Sequence, residues 1–358
     1  MAGAYISLTT EDSILSNDSV TSAMWSDNSP TLLNYYTSSA QIASAVAPYY
    51  LSVYQTASNT PTSAIQFDVA YCDEVGSGSK YLNPLVIGTT PTRTNYGQYR
   101  SLILGDENAS FIFGNYTSSY FYVLNLERAR YKQNILPGTW TLQLSGSLTS
   151  TAEDHLVLTD DSLVNNVTSF TDAGRVYNIV SGSAGVVNET LNTTGWTSDV
   201  GSYGWMLPDV NLLVLNGEAL DATLAQGGLT LGTVRTPDAW DTNGANPKLV
   251  IDSLIKGGTS PTGLAPRGFT LNSQEDLSSD FIFCRARNSE FNYSSNPSFI
   301  SSSTGGILYD SFITNPTTYI TTVGLYNDSQ ELLATAKLSR PLEKDFTKEL
   351  LVRVKLDF

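Results

Sequence analysis

The chain ends on Leu350-Leu-Val-Arg-Val-Lys-Leu-Asp-Phe358. Leu350, Val352, Val354, Leu356 and Phe358 fall on one side of an extended backbone, and Arg353, Lys355 and Asp357 fall on the other. A period of two predicts a half-buried β-strand. A terminus paired in a sheet is held rather than frayed. Just upstream, Tyr319-Ile-Thr-Thr-Val-Gly-Leu-Tyr326, a turn at Asn327-Asp328-Ser329, and Glu331-Leu-Leu-Ala-Thr-Ala-Lys-Leu-Ser-Arg-Pro-Leu342 predict a strand, a turn and a second strand. Phe281-Ile-Phe-Cys-Arg-Ala-Arg287 alternates in the same way.

Working outward, the pattern repeats. Residues 64–71, 110–113, 120–126, 138–144, 155–158, 175–180, 210–215 and 249–251 read as short strands cut by glycine. Residues 95–104 read as a helix, because Tyr96, Tyr99 and Ile103 share a face, and residues 217–225 as a short helix after Asn216. Gly76-Ser-Gly-Ser79 supplies a turn, and the Gly- and Pro-rich residues 257–268 are the best linker. Residues 1–60 are poor in charge and loosely patterned, an extended or partly helical arm rather than an independent core. The expected fold class is therefore mainly β: antiparallel sheets and β-sandwich-like domains, a few short helices and an extended N-terminal arm. The expected domains are 1–60, a central region 61–265 with an inserted subdomain at about 146–265, and a C-terminal β domain 266–358.

Charge narrows the function. Charged residues make up 15% of the chain, against about a quarter in ordinary domains, and the net charge is −15. Nucleic-acid binding draws on basic patches, so none is expected. No Lys or Arg precedes Lys80, whereas six fall between Lys337 and Lys355. Such unevenness reads either as solvated faces or as complementary contact between an acidic head and a basic tail. No run reaches the roughly eighteen apolar residues of a membrane span, and the start lacks the basic and apolar regions of a signal peptide. A soluble chain made in the cytoplasm, with no membrane partner, is expected. Cys72 and Cys284 stand far apart and outside any Cys/His cluster, so they read as free thiols.

Catalytic groups are sparse. The single histidine, His155, sits in a predicted strand and reads as structural. Cys72 adjoins Asp73 and Glu74, whose charge raises a thiol pKa rather than activating it. Glu153/Asp154 and Asp160/Asp161 are paired carboxylates, but neighbours on a strand point to opposite faces, and Asp160-Asp-Ser162 is turn-like. Lys80 lacks the phosphate-loop context, and the Asn327-Asp328-Ser329 turn carries one acid, too few for calcium. No catalytic residue, cofactor or metal is expected. The aromatics say more: twenty Tyr, thirteen Phe and five Trp, many in polar surroundings, suit protein interfaces and sugar platforms as well as β cores.

The pattern from Tyr319 to Leu342, a strand ending in Gly-Leu-Tyr followed by a turn and a Leu-Leu-Ala strand, resembles a segment common in tail and baseplate proteins of tailed bacteriophages. Phe67-Asp-Val-Ala-Tyr71, Gly76-Ser-Gly-Ser79, Tyr96-Gly-Gln-Tyr-Arg100, Gly138-Thr-Trp140 and Ser202-Tyr-Gly-Trp-Met-Leu-Pro-Asp-Val-Asn-Leu-Leu-Val-Leu-Asn216 look like large structural proteins of contractile-tailed phages of the cyanophage type. The resemblance implies a non-enzymatic virion component, a baseplate wedge or tail protein made in the host cytoplasm, which binds other virion proteins and copies of itself. Alternatives are a receptor- or glycan-binding tail-fibre protein, and a glycan-cleaving tail enzyme using Glu153 and Asp160. The candidate interface is the basic set Lys337, Arg340, Lys344, Lys348, Arg353 and Lys355. Outward Arg353 and Lys355 are the groups expected to meet an acidic surface, such as the N-terminal arm of another copy.

Overall fold

The computed structural model describes the chain apart from residues 1–4, 26–28, 33, 38–49, 58, 76–91, 115, 146–154, 166–168, 189–201, 236–245, 259–267, 295 and 358. The fold is mainly β. The chain divides into two compact units, a central one of Val20–Glu275 and a terminal one that joins Met1–Ser19 to Asp276–Phe358.

The central unit is built on one large sheet. Its spine runs, edge to edge, through Thr31–Leu32, Phe269–Thr270, Thr141–Ser145, His155–Asp160, Gly174–Ser183, Gly204–Leu207, Leu212–Asn216, Tyr120–Leu126, Ile65–Asp73, Tyr50–Tyr54 and Tyr36–Thr37. Every neighbouring pair along it is antiparallel. One inner strand explains why this sheet is covered on both faces. Tyr120-Phe-Tyr-Val-Leu-Asn-Leu126 is apolar at almost every position, the signature of a strand buried on both sides. Tyr120, Tyr122, Leu124 and Leu126 enter one core with Trp140, Phe67 and Phe269, and the helix Asn246–Gly258 adds Val250, Ile251 and Leu254 to it. Phe121 and Val123 enter a second core, where Tyr96 and Ile103 of the helix Thr92–Leu104 meet Phe111 and Phe113.

Local chemistry fixes the turns. Between Gly204–Leu207 and Leu212–Asn216, Asn211 takes the left-handed conformation with φ 57° and is buried, its Oδ1 accepting the Ile135 amide at 2.7 Å. A Cβ on Gly204, whose φ is 140°, would lie 1.8 Å from the Val214 carbonyl oxygen, so only glycine lets the hairpin close. Asn216 caps the helix Gly217–Asp221 by accepting from the Glu218 amide, as its position predicts.

One element is corrected. Residues 249–251, expected as a strand, lie inside the helix Asn246–Gly258. Three consecutive apolar residues carry no period of their own. The deciding features are Leu254 at helical spacing from Val250 and Ile251, and Pro247 in the first turn, where a missing N–H does no harm. The helix expected over 95–104 begins earlier, at Thr92. The segment read as an arm supplies Trp25, Leu32, Leu51 and Val53 to the larger core of the central unit. The Gly76–Ser79 turn and most of the 257–268 linker lie outside the described residues.

The terminal unit has a different construction. Ser13–Ala23, Asn272–Ala286 and Leu350–Asp357 form a sheet with Asn272–Ala286 in the middle. From Ser279 to Ala286 that middle strand pairs antiparallel, in unbroken register, with Asp357 back to Leu350. Thr318–Tyr326 and Leu332–Lys344 form a separate two-stranded ribbon, with register shifts after Ile320 and Leu325. The turn predicted at Asn327 closes it: the Asn327 Oδ1 accepts the Glu331 amide at 2.8 Å.

Candidate functional site

The terminal unit is the candidate site, because of what it leaves uncovered. Among its described residues, the buried apolar side chains are Ile282, Ala286 and Val354. Ile282 and Val354 face each other across the ladder, and Ala286 lies opposite Leu350. This is the inward face the sequence predicts. Against it stand large apolar residues in the open: Leu333 is 68% exposed, Leu351 63%, Ile313 66% and Tyr319 60%. Large apolar side chains in the open mark an interaction site where they gather into one surface. A two-stranded ribbon is itself marginal in water unless something packs on it.

The six basic residues divide into four groups. Lys344 is fully buried and donates from Nζ to the Asn288 carbonyl at 3.0 Å, the Asn292 Oδ1 at 2.7 Å and the Asp345 carbonyl at 2.9 Å. It therefore ties the end of the ribbon to residues 288–292 and offers nothing to a partner. Lys348 pairs with Glu343 at 3.0 Å and Asp345 at 3.2 Å on the surface. The Thr347 hydroxyl and amide hold the Asp345 carboxyl down to about 2. Arg353 and Lys355 lie over the Phe281 ring, 5.3 Å and 5.8 Å from its centroid, and Lys355 also reaches Asp357 at 2.8 Å. Lys337 and Arg340 stand exposed on the ribbon. Five of the six thus remain at the surface, two of them over an aromatic ring.

Sequence reasoning missed three contributors. Phe281 underlies Arg353 and Lys355 and sits opposite Lys355 in register. Leu351 occupies an outward position that alternation reserves for polar groups, and it is exposed. Its signal was already in the sequence, since an apolar residue on the polar face of a strand breaks the pattern. The third is residues 13–19, which belong to this sheet: Ser13 Oγ donates to Asp280 Oδ1 at 2.5 Å, and Ser278 Oγ donates to Asn17 Oδ1 at 3.0 Å.

The catalytic candidates fare differently. Cys72 is a free, buried thiol whose pKa is pushed well above the usual range, first by burial and then by the Asp73 charge. Asp160 is buried and accepts the Gly138 amide through both oxygens at 2.9 Å, and burial raises its pKa. Asp161 accepts the Asn178 amide at 2.9 Å and its Nδ2 at 3.1 Å. Both carboxylates brace the turn they were read to occupy. Glu153 and Asp154, like Lys80, lie outside the described residues. Among the described residues no three His, Cys, Asp or Glu side chains are placed to hold a metal ion.

One buried polar cluster in the central unit is built with care. Asp73 is fully buried and receives Arg235 through both oxygens at 2.9 Å, and its Oδ2 also accepts the Tyr71 hydroxyl at 2.7 Å. The Arg235 guanidinium lies 4.4 Å from the Tyr120 ring centroid, and the Tyr120 hydroxyl donates to Asp221 at 2.7 Å. Asp221 in turn accepts the Gly232 and Thr233 amides. Each group answers another within the unit, so the cluster pins the segment before Arg235 onto the sheet. No protein-family model matches this chain, and neither a curated protein nor a solved structure matches it.

Proposed function

We propose that this chain is a non-enzymatic structural subunit of a virion, a baseplate wedge or tail component that holds neighbouring subunits through its terminal unit. The observation that carries this reading is the imbalance of that unit, whose strands expose Leu332, Leu333, Leu351 and Tyr319 while burying few apolar residues of their own. A unit built this way gains its missing burial from neighbours. The resemblance of residues 319–342 to tail and baseplate segments supplies the setting. Mass spectrometry of purified particles of the phage that encodes the chain tests the reading. The chain is expected in the particle at fixed stoichiometry, and its absence overturns the proposal.

Exposed tyrosines favour one second reading. Tyr293, Tyr309 and Tyr319 present rigid amphipathic rings to solvent on the terminal unit, as a glycan-binding tail-fibre protein would. A glycan array separates the two, because a subunit that only joins proteins binds no sugar on it.

A further inference from the structure

We propose that the sheet of Ser13–Ala23, Asn272–Ala286 and Leu350–Asp357 is continued by a second copy of the chain, residues 13–19 of one copy adding as a strand to the open edge of Leu350–Asp357 of the next. The inference rests on the assembly reading above and names the partner. Among the described strands, Ser13–Ala23 and Leu350–Asp357 each pair with Asn272–Ala286 alone, so each presents a row of unpaired backbone N–H and C=O groups. An edge of that kind takes an added strand through main-chain hydrogen bonds, and the side chains decide which strand.

Direction and face agree. Ser13 meets Asp280 and Asn17 meets Ser278, so residue numbers rise along one strand as they fall along the other. Leu350–Asp357 also runs antiparallel to the middle strand. The two outer strands therefore point the same way, and a copy that continues the sheet brings them together in parallel. Ser13 and Asn17 share the face of Asp280, which leaves Ile14 and Asp18 on the face of Phe281, Arg353 and Lys355. In the register that sets Ile14 beside Leu351, Asp18 falls beside Lys355. Ile14 is 53% exposed and Leu351 63% exposed in the single chain, and this pairing covers both.

Charge selects unlike edges. The first seventy-nine residues contain no Lys or Arg, whereas the Leu350–Asp357 edge carries Arg353 and Lys355. Two such basic edges set against each other place cation against cation, which is unfavourable across a strand pair. Head-to-tail addition puts acid against base at every joint. It either closes into a ring or runs on as a filament.

Sedimentation velocity of the full chain, over a range of concentration and salt, tests this. The wild-type chain is expected to associate, less so at high salt. Asp18→Lys and Lys355→Glu are each expected to weaken association about tenfold, and the two combined in one chain to restore it. Circular dichroism and the thermal midpoint check that each variant folds. Should Lys355→Glu disturb the strand, Ile14→Lys at an exposed position decides, with the same loss expected. A wild-type chain that stays monomeric, single variants that associate like wild type, or a folded double variant that stays dissociated each overturn the proposal. Association that ignores these charges overturns this joint while leaving the assembly reading standing, whereas absence from the particle removes that reading itself.

Discussion

Among the described residues, the least exposed side chain of the terminal unit is a lysine, Lys344, whereas the central unit is filled by Trp140, Phe121 and Tyr122. The two units answer the same physical problem differently. In the central unit a covered sheet removes apolar groups from water on both faces, and burial at roughly 25 cal/mol per Å² is the main source of stability. In the terminal unit order comes from ladder hydrogen bonds, a buried ammonium with three acceptors, and surface ion pairs such as Arg285–Glu349 at 2.8 Å. Surface pairs are individually worth little, so such a unit holds its shape without a large reserve. One unit is stable by what it encloses, and the other keeps its order with little enclosed.

The contrast can be broken most forcefully from the central side. Phe121→Ala removes a ring that lies 4.4 Å from Phe111 and 5.2 Å from Tyr96, and should lower stability by about 3–5 kcal/mol in equilibrium urea unfolding. Asp73→Ala strands the Arg235 guanidinium and the Tyr71 hydroxyl. Because the Arg235 side chain is 35% exposed and water can reach it, the loss should sit at the low end for a broken buried pair, about 3 kcal/mol. Lys344→Met leaves three acceptors without their donor and should cost about 2 kcal/mol. Hydrogen exchange should place that loss in the ribbon and in residues 288–292, with the central strands unchanged.

Acid sharpens the same contrast with smaller effects. Asp345 is held at about 2, below the ordinary 3.8, so its contribution is complete above the ordinary value and is lost as pH falls toward about 2. Asp357 and Glu349 are lowered in the same direction, by hydrogen bonds from Lys355 and Arg285 respectively. Asp160 runs the opposite way. Burial raises its pKa, so the folded state takes up the proton more readily than the unfolded chain, and acidification relieves its desolvation. Between about pH 4 and about pH 2, exchange corrected for its intrinsic rate should quicken around Asp345 before it does around Asp160. The smallest effect belongs to the exposed ribbon: Leu333→Ser should change monomer stability by no more than about 0.5 kcal/mol.

What the sequence made legible follows from periodicity. The alternation at Leu350–Asp357 placed Val352 and Val354 inward and Arg353 and Lys355 outward, and the apolar run at Tyr120–Leu126 marked a strand buried on both faces. Residues 249–251 were misread because three apolar residues fit either period. Long-range partnership was illegible. Nothing local to Asp73 announces Arg235, and nothing local to residues 13–19 announces Asn272–Ala286, since both pairings depend on how distant segments return. The site was half legible for a related reason. Counting cations found the basic stretch, but only the fold separates Lys344, spent on internal acceptors, from Lys337 and Arg340 at the surface.

Trp140 is fully buried in the larger central core, its Nε1 donating to the Met206 Sδ at 2.9 Å. All five tryptophans of the chain, Trp25, Trp140, Trp196, Trp205 and Trp240, fall within Val20–Glu275. Indole emission is therefore a channel tuned to one unit and blind to the other, whose aromatic light comes from tyrosine and phenylalanine alone. Recorded beside the circular dichroism of the whole chain, it would show whether the central unit responds together with the rest to a perturbation, without a label being attached.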